Sequence, residues 1–280
     1  MIYCTIILDV EFLTATRNRY RYSIILLRQL VITDFKLRYQ GSVLGYAWSL
    51  LRPLMLFLIL YVVFVQFLKI GGDTPNYPIY LLIGIVLWSF FSEMTSQSLG
   101  SIVGRGDLIR KIPIPRWTIV VSTSISAIIN LLLNLLVVAA FMVFNNVELG
   151  FNAIWLPLIL LEIYMFALGV SLFLAAAFVR YRDITYIWEV ILQAAFYVTP
   201  ILYPLTLVKD EFLQKVIILN PMAQAIQDAR EVLVTPQTLT ISEVFGSDAA
   251  RFIPILMTLI ILLASINYFR RHSKYFAENI

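Results

Sequence analysis

The chain has 280 residues, of which 60% are hydrophobic, 14% aromatic and 14% charged, with a mean hydropathy of +0.86. A soluble domain carries about 25% charged residues, so this chain lacks the charge to clothe a water-facing surface and reads as a membrane protein. One cysteine, Cys4, excludes a disulfide framework, and one histidine, His272, leaves nothing for a His/Cys metal site. In so apolar a chain, the net charge of +4 reports orientation in the bilayer before it reports nucleic acid.

Met1 to Val10 has no basic n-region, and Asp9 and Glu11 interrupt any apolar core there, so no secretory signal is expected. Between Tyr22 and Gln40 the pattern is helical, with Ile24, Leu27, Val31 and Phe35 on one face and Arg28 intruding near it. The apolar half is too short to span, and Asp34, Lys36 and Arg38 suit hydrocarbon badly. An interfacial helix on the cytoplasmic leaflet is expected, with an ordinary solvated helix as the alternative.

Crossing about 30 Å of hydrocarbon takes roughly 20 mostly apolar helical residues. Six stretches qualify, near 48–68, 77–99, 117–144, 154–178, 187–206 and 252–269, and six spans put both termini on one side. The segment before Trp48, the loops 100–116 and 179–186 and the tail after Phe269 together hold fifteen of the 21 Lys and Arg residues. By the positive-inside rule these segments and both termini are cytoplasmic. The chain then divides into a cytoplasmic N-terminal segment (1–47), one six-span domain (48–270) and a cytoplasmic tail (271–280), without internal repeats.

The loop before the third span places Leu108, Ile109 and Ile112 beside Arg110, Lys111 and Arg116, and Pro113 and Pro115 stop it stiffly. A positive-inside loop explains the bases. It does not explain the apolar residues among them, which suit insertion into a groove on a partner. In the fifth span, Pro200 and Pro204 kink or end the helix and free backbone carbonyls. A water-lined path and a plain prolyl helix end both fit. Beyond it, Val216 to Gln227 is apolar but broken at Asn220-Pro221. Twelve residues cannot cross, so a re-entrant pair of short helices is expected, with a surface-lying pair as the alternative.

No Gly-Lys dipeptide occurs, so there is no P-loop, and ATP hydrolysis must come from another chain. Asp34, Asp107 and Asp183 lie in separate cytoplasmic segments, which gives a membrane-embedded glycosyltransferase no acid pair. Glu93, Glu162 and Glu189 are the only ionisable groups within the spans that could serve a proton-driven carrier, and pairing with Ser, Thr or Asn of neighbouring helices is the simpler expectation. Trp48, Trp117, Trp155 and Trp188 fit interface anchors. Tyr61, Phe64, Trp88, Phe196 and Tyr197 are deeper. Aromatic faces can stack on sugar rings while letting a polymer slide, whereas single aromatics more often face lipid; a cluster on one cavity decides between these.

Three stretches together resemble the permease subunit of type 2 ABC exporters, in the branch that exports O-antigen, capsular polysaccharide or teichoic acid. The first is Asp34-Phe35-Lys36-Leu37-Arg38-Tyr39-Gln40-Gly41-Ser42-Val43-Leu44-Gly45-Tyr46-Ala47-Trp48 with Leu51-Arg52-Pro53. The second is Leu108-Ile109-Arg110-Lys111-Ile112-Pro113-Ile114-Pro115-Arg116, and the third runs from Arg182-Asp183-Ile184 through Thr199-Pro200-Ile201-Leu202-Tyr203-Pro204 to Leu219-Asn220-Pro221-Met222.

The resemblance implies a homodimer, each subunit bound to a separate nucleotide-binding subunit that holds ATP and Mg, with no cofactor or metal in this chain. It implies ATPase contact through Asp107, Leu108, Ile109, Arg110, Lys111, Ile112, Pro113, Ile114, Pro115 and Arg116. It also implies a lateral gate for an undecaprenyl-linked glycan or polyol phosphate beside the interfacial helix, where Lys36, Arg38, Tyr39 and Arg52 would meet the head group. Arg52 replaces the uncharged polar residue usual before that proline; it can snorkel to lipid phosphate or bind a pyrophosphate. The channel would be lined by Tyr61, Phe64, Trp88, Phe196 and Tyr197, and the exit narrowed by re-entrant residues Pro200, Pro204, Asn220, Pro221 and Met222. An exporter of drugs or lipids would share the topology around a smaller, more apolar cavity.

Overall fold

A computed structural model describes residues 24–34, 36, 41–42, 44–45, 47–69, 74–111, 114–147 and 150–279. Arg38, Tyr39, Ile112 and Pro113 lie outside them. Among the described residues every regular element is helical, as expected where a spanning backbone must satisfy its own hydrogen bonds.

The first helix, α1, covers 24–34. Its inward face is rotated from the expected one. Leu30 is buried and Leu26 packs on a core cluster, while Ile24 is 64% exposed. The rotation is fixed at Asp34, whose carboxylate accepts from the Arg105 guanidinium and, at 3.4 Å, from Ser122 Oγ.

Among the described residues, five helical stretches are long and apolar enough to cross a membrane. They are α2 (Ala47–Tyr61) with its π-helical extension Val62–Phe67, α3 (Tyr77–Ser101), α5 (Trp117–Phe144), α6 (Leu156–Arg180, preceded by the 3-10 turn Phe151–Trp155) and α11 (Phe252–His272). A short helix, α4 (Gly106–Lys111), joins α3 to α5. Pro78 and Pro157 sit in the first turns of α3 and α6, where a missing N–H costs nothing. α3 is the hub: 78% of its apolar window is buried, against 6% for α2, and it packs on α2, α5, α6, α7 and α9. α6 and α11 cross closely at Gly169, where a Cβ would stand 3.0 Å from Leu262 Cα.

The fifth expected span is shorter than its sequence suggested. α7 (Ile184–Val198) has 15 residues, about 22 Å of helix against about 30 Å of hydrocarbon. It stops at Val198, just ahead of Pro200, and the chain continues through Thr199 to Pro204 without helix until the 3-10 turn Leu205–Leu207. α8 (Glu211–Ile218) and α9 (Pro221–Leu233) follow, separated at Asn220 as expected, with Asn220 capping α9 through Met222 N–H at 3.0 Å. α9 is no surface helix: Pro221 through Arg230 are all buried, against α3, α6 and α11. The short α10 (Ile241–Phe245) and α12 (Phe276–Asn279) complete the chain.

Two secondary clusters define the ends of the bundle. Ile102, Ile109, Ile114, Val179, Phe269 and Phe276 gather α4, the start of α5, the ends of α6 and α11, and α12 at one end. Leu205, Ile218, Ile241 and Ala250 gather the short helices at the other.

Candidate functional site

A spanning helix whose sides all meet lipid or core has no use for a polar stripe, yet α3 carries one. Ser89, Ser92, Glu93, Ser96 and Gln97 recur at three- and four-residue spacing, so they share one face. That face looks into a cleft of about 660 Å³ between α2, α3, α5 and α7. α2 contributes Trp48, Ser49, Arg52, Pro53 and Leu56, α5 contributes Asn130, and α7 contributes Leu192, Gln193, Phe196 and Tyr197.

The two walls run antiparallel, because Trp188 Nε1 of α7 donates to Thr95 Oγ1 at 3.2 Å while Trp88 meets Phe196 with ring centroids 5.9 Å apart. Trp188, expected as an interface anchor, is therefore an internal strut. Trp88, Phe196 and Tyr197 form one aromatic group, the last two 5.4 Å apart. All three border the one cleft. Tyr61 and Phe64 do not join it: Tyr61 lies 5.9 Å from the Phe57 ring, and both pack on the main core. Arg52, placed by sequence at a head-group site, shares the cleft with the aromatics and is exposed. Lys36 is exposed.

Glu93 stands between polar partners, as the sequence led one to expect of an acid within a span. Its Oε1 accepts from Asn130 Nδ2 at 2.6 Å and from Gln97 Nε2 at 2.8 Å. Asn134 Nδ2 donates in turn to the Asn130 carbonyl at 2.8 Å and to the Ser49 carbonyl at 3.3 Å, which ties α5 to α2 beside the cleft. Glu189 is exposed. Glu162 lies elsewhere, buried between α6 and α9 near Asp228 and Gln224.

At the basic end, α4 and its continuation turn two kinds of side chain in different directions. Ile109 and Ile114 are each only 8% exposed and sit in the chain's own core, with Leu108 packed against them. Of the three residues whose pattern suited a partner's groove, Leu108 and Ile109 pack on their own subunit beside α12 and the ends of α5 and α6, and Ile112 lies outside the described residues. Asp107, Arg110 and Lys111 face outward, and Pro115 and Arg116 are half-buried.

Arg230 falls outside the fifteen bases of the cytoplasmic segments, so the charge count leaves it among the charges of the long connection after the fifth span. It is wholly buried. Its Nε donates to the Tyr80 carbonyl at 2.9 Å, Nη1 to the Pro200 carbonyl at 2.5 Å and to Gln227 Oε1 at 3.1 Å, and Nη2 to the Ile201 carbonyl at 2.8 Å. The guanidinium carbon also lies 3.6 Å from the centroid of the Tyr80 ring. The arginine thus satisfies the carbonyls of Pro200 and Ile201 in the non-helical stretch after α7, and Tyr77 Oη donates to the Leu202 carbonyl at 2.5 Å. Pro204 and Met222 are buried in the same region. Nothing local in the sequence marked Arg230, since Gln227, Asp228 and Glu231 beside it suit a solvated helix face equally well.

Residues 25–234 match the family model described as ABC-2 type transporter. The chain is 27% identical to the O-antigen export system permease protein RfbA of Myxococcus xanthus, over 94% of this chain and 98% of that one. It is 29% identical to the protein of the same name from Klebsiella pneumoniae, over 72% and 77%. With the polysialic acid transport protein KpsM of Escherichia coli it shares 23% identity over 78% and 84%. The sequence resemblance, the helical bundle and a match spanning α1 to α9 agree: the chain belongs to the ABC-2 type transporter family.

Proposed function

We propose that this chain is the transmembrane permease subunit of an ATP-driven exporter that moves a lipid-linked polysaccharide out of the bacterial cytoplasm, and that it works as a homodimer in the cell membrane. The observation that carries the reading is the cleft: a polar stripe on a spanning helix and an aromatic group from α3 and α7 line one open space. Hydroxyl and amide groups exchange hydrogen bonds with a hydrated polymer, while aromatic faces stack on sugar rings without holding them in one register. The names of the relatives point the same way.

The polymer's anionic head group is recruited at the cytoplasmic interface by Lys36, Arg38, Tyr39 and Arg52, beside α1. α2 and α7 present the apolar residues Leu58, Ile59, Ile187 and Val190, each more than half exposed, and in this proposal a second copy pairs along these faces so that two clefts border one path. The sixth crossing is made by α7 together with the non-helical residues after it. Both termini are cytoplasmic, and α8 and α9 re-enter from the outer side and narrow the exit around Pro200, Pro204, Asn220, Pro221 and Met222. A separate ATPase subunit, present twice and holding ATP and Mg, docks on the outward charges Asp107, Arg110 and Lys111; the remaining residues from Leu108 to Arg116 hold that surface in shape.

Co-purification of the permease with its ATPase tests the reading, comparing wild type with the double change Arg110→Glu, Lys111→Glu. Stoichiometric binding that the charge reversal weakens, together with ATP hydrolysis raised by an undecaprenyl-linked glycan, supports it. A stable permease to which no ATPase binds refutes it.

A further inference from the structure

We propose that Glu162 and Asp228, buried between α6 and α9, form a proton-binding site: at neutral pH the pair holds one proton, on Glu162, and losing it at higher pH sets two negative charges against each other across the α6–α9 contact. The inference goes beyond the exporter reading and does not depend on what is carried.

The site stands toward the end of the bundle opposite α4, with Glu162 in the second turn of α6. Glu162 and Asp228 are 8% and 9% exposed, and Gln224, one turn before Asp228 on α9, is 2% exposed. Gln224 Nε2 donates to Asp228 Oδ2, and the same side-chain amide is hydrogen-bonded to Glu162. Three oxygens remain. Glu162 Oε1, Asp228 Oδ1 and Gln224 Oε1 are buried and receive no hydrogen bond. The group is short of donors and has acceptors to spare.

The surrounding charge deepens the deficit. Arg251, just ahead of α11, acts on Asp228 but is itself paired with Glu231 at 3.2 Å. Arg230, also on α9, points the other way, to Tyr80 and to backbone carbonyls. Of the other elements packed on α6 and α9, α3 turns Tyr77 and Tyr80 toward the Leu202 carbonyl and Arg230. Lys215 of α8 lies over the Phe245 ring, and α11 has no ionisable side chain from Phe252 to Asn267. Three acids therefore share one base. Burying two ionised carboxylates so poorly neutralised costs more than protonating one of them.

Arg251 favours the charge on Asp228, which leaves the proton to Glu162. A side-chain amide between two acids suits this division. Its N–H donates to the ionised acid, and its oxygen accepts from the O–H of the protonated one, which gives Glu162 and Gln224 Oε1 the partners they lack. An unfolded chain releases such protons at about pH 4. Above that pH the folded protein holds one proton more than the unfolded chain, so its stability falls as pH rises until the site gives that proton up.

The test uses the purified permease in nanodiscs. Thermal midpoints are read between about pH 6 and about pH 8.5 for wild type, Glu162→Gln and Glu189→Gln, the last at an exposed position. Infrared spectra at about pH 7 report the C=O stretch of a protonated carboxylic acid. The wild-type midpoint should fall by about 4–8 °C across the range. Glu162→Gln, which has the shape of the protonated acid, should hold it within about 2 °C and raise it at the upper end, and Glu189→Gln should keep the wild-type slope. The carboxylic acid band of wild type should be missing from Glu162→Gln. Should that variant fail to fold, the wild-type band still decides: it must be present at about pH 7 and vanish over the range in which the midpoint falls. A flat wild-type midpoint, a wild-type spectrum without the band, or a slope and band unmoved by Glu162→Gln overturns the proposal. None of these results touches the exporter reading, which stands or falls on binding of the ATPase.

Discussion

Replacing Arg230 by methionine keeps the length and apolar bulk of its stem but removes every donor of the guanidinium. The carbonyls of Pro200 and Ile201 then lose their partner and that of Tyr80 keeps only its bond within α3, in a region where Arg230 itself has no exposed surface. Each buried acceptor left unmade costs about 1–3 kcal/mol. Against this stands relief from burying a cation with no carboxylate among its hydrogen-bond partners, an effective penalty of several kcal/mol. The stacking on Tyr80, 3.6 Å from its ring centroid, is lost as well, at about 2 kcal/mol for a desolvated pair. The sum favours the arginine, by about 3 kcal/mol, because three carbonyls and an aromatic face share the cost of one charge. At 2–4 °C per kcal/mol this lowers the thermal midpoint of the purified permease by roughly 6–12 °C. Arg230→Lys keeps the charge but cannot fork to Pro200, Ile201 and Tyr80 together, and should lose about 2 kcal/mol. A midpoint unchanged in Arg230→Met would show that the carbonyls find other partners, and that the arginine does not hold the end of α7 to α9.

Glycine positions give sharper tests of packing. Gly84→Ala puts a Cβ 2.4 Å from Arg230 Nη2 and 3.3 Å from Ile201 Cγ2, so it should cost about 1–3 kcal/mol in the same thermal assay. Gly100→Ala, also in α3 and with nothing within 4 Å, should be neutral or stabilising by about 0.5–1 kcal/mol; equal effects at the two sites would contradict the packing described. Gly169→Ala meets the backbone of Leu262 at 3.0 Å and should force α6 and α11 apart, with a loss of about 1–2 kcal/mol that reducing Leu262 to alanine does not restore, since the clash is with backbone atoms. The Asp34–Arg105 pair, whose side chains are 16% and 18% exposed, should give a coupling energy of about 1–2 kcal/mol in a double-mutant cycle with alanine; additive single effects would mean that α1 is not held by this pair.

Much of this molecule was legible before any coordinates. Long apolar stretches suit spanning helices, and long helices form at five of the six stretches to within about three residues. Pro200 ended α7, and Asn220-Pro221 divided α8 from α9, because proline geometry is local. Three family stretches spread over the chain were specific enough to name the family.

What the sequence concealed was direction. The α3 stripe from Ser89 to Gln97 is visible as a spacing, but small hydroxyl residues in a spanning helix also serve helix packing, as Ser98 and Thr95 do in their bonds to α3 carbonyls. Only the placement of α7 opposite makes that face a cleft wall. Ile109 looked like a residue offered to a partner because hydrophobicity carries no address; the fold of α12 and α5 around it supplies one. Arg230 was misplaced for the deepest reason. A charge count assigns every arginine to water, and what buries this one is a set of backbone carbonyls from residues 30 and 150 positions away in sequence. Hydropathy and proline determined the segments of this protein, since both act within a turn or two of helix. The cleft, the buried arginine and the covered face of α4 depend on which segments become neighbours, and that was decided by tertiary packing alone.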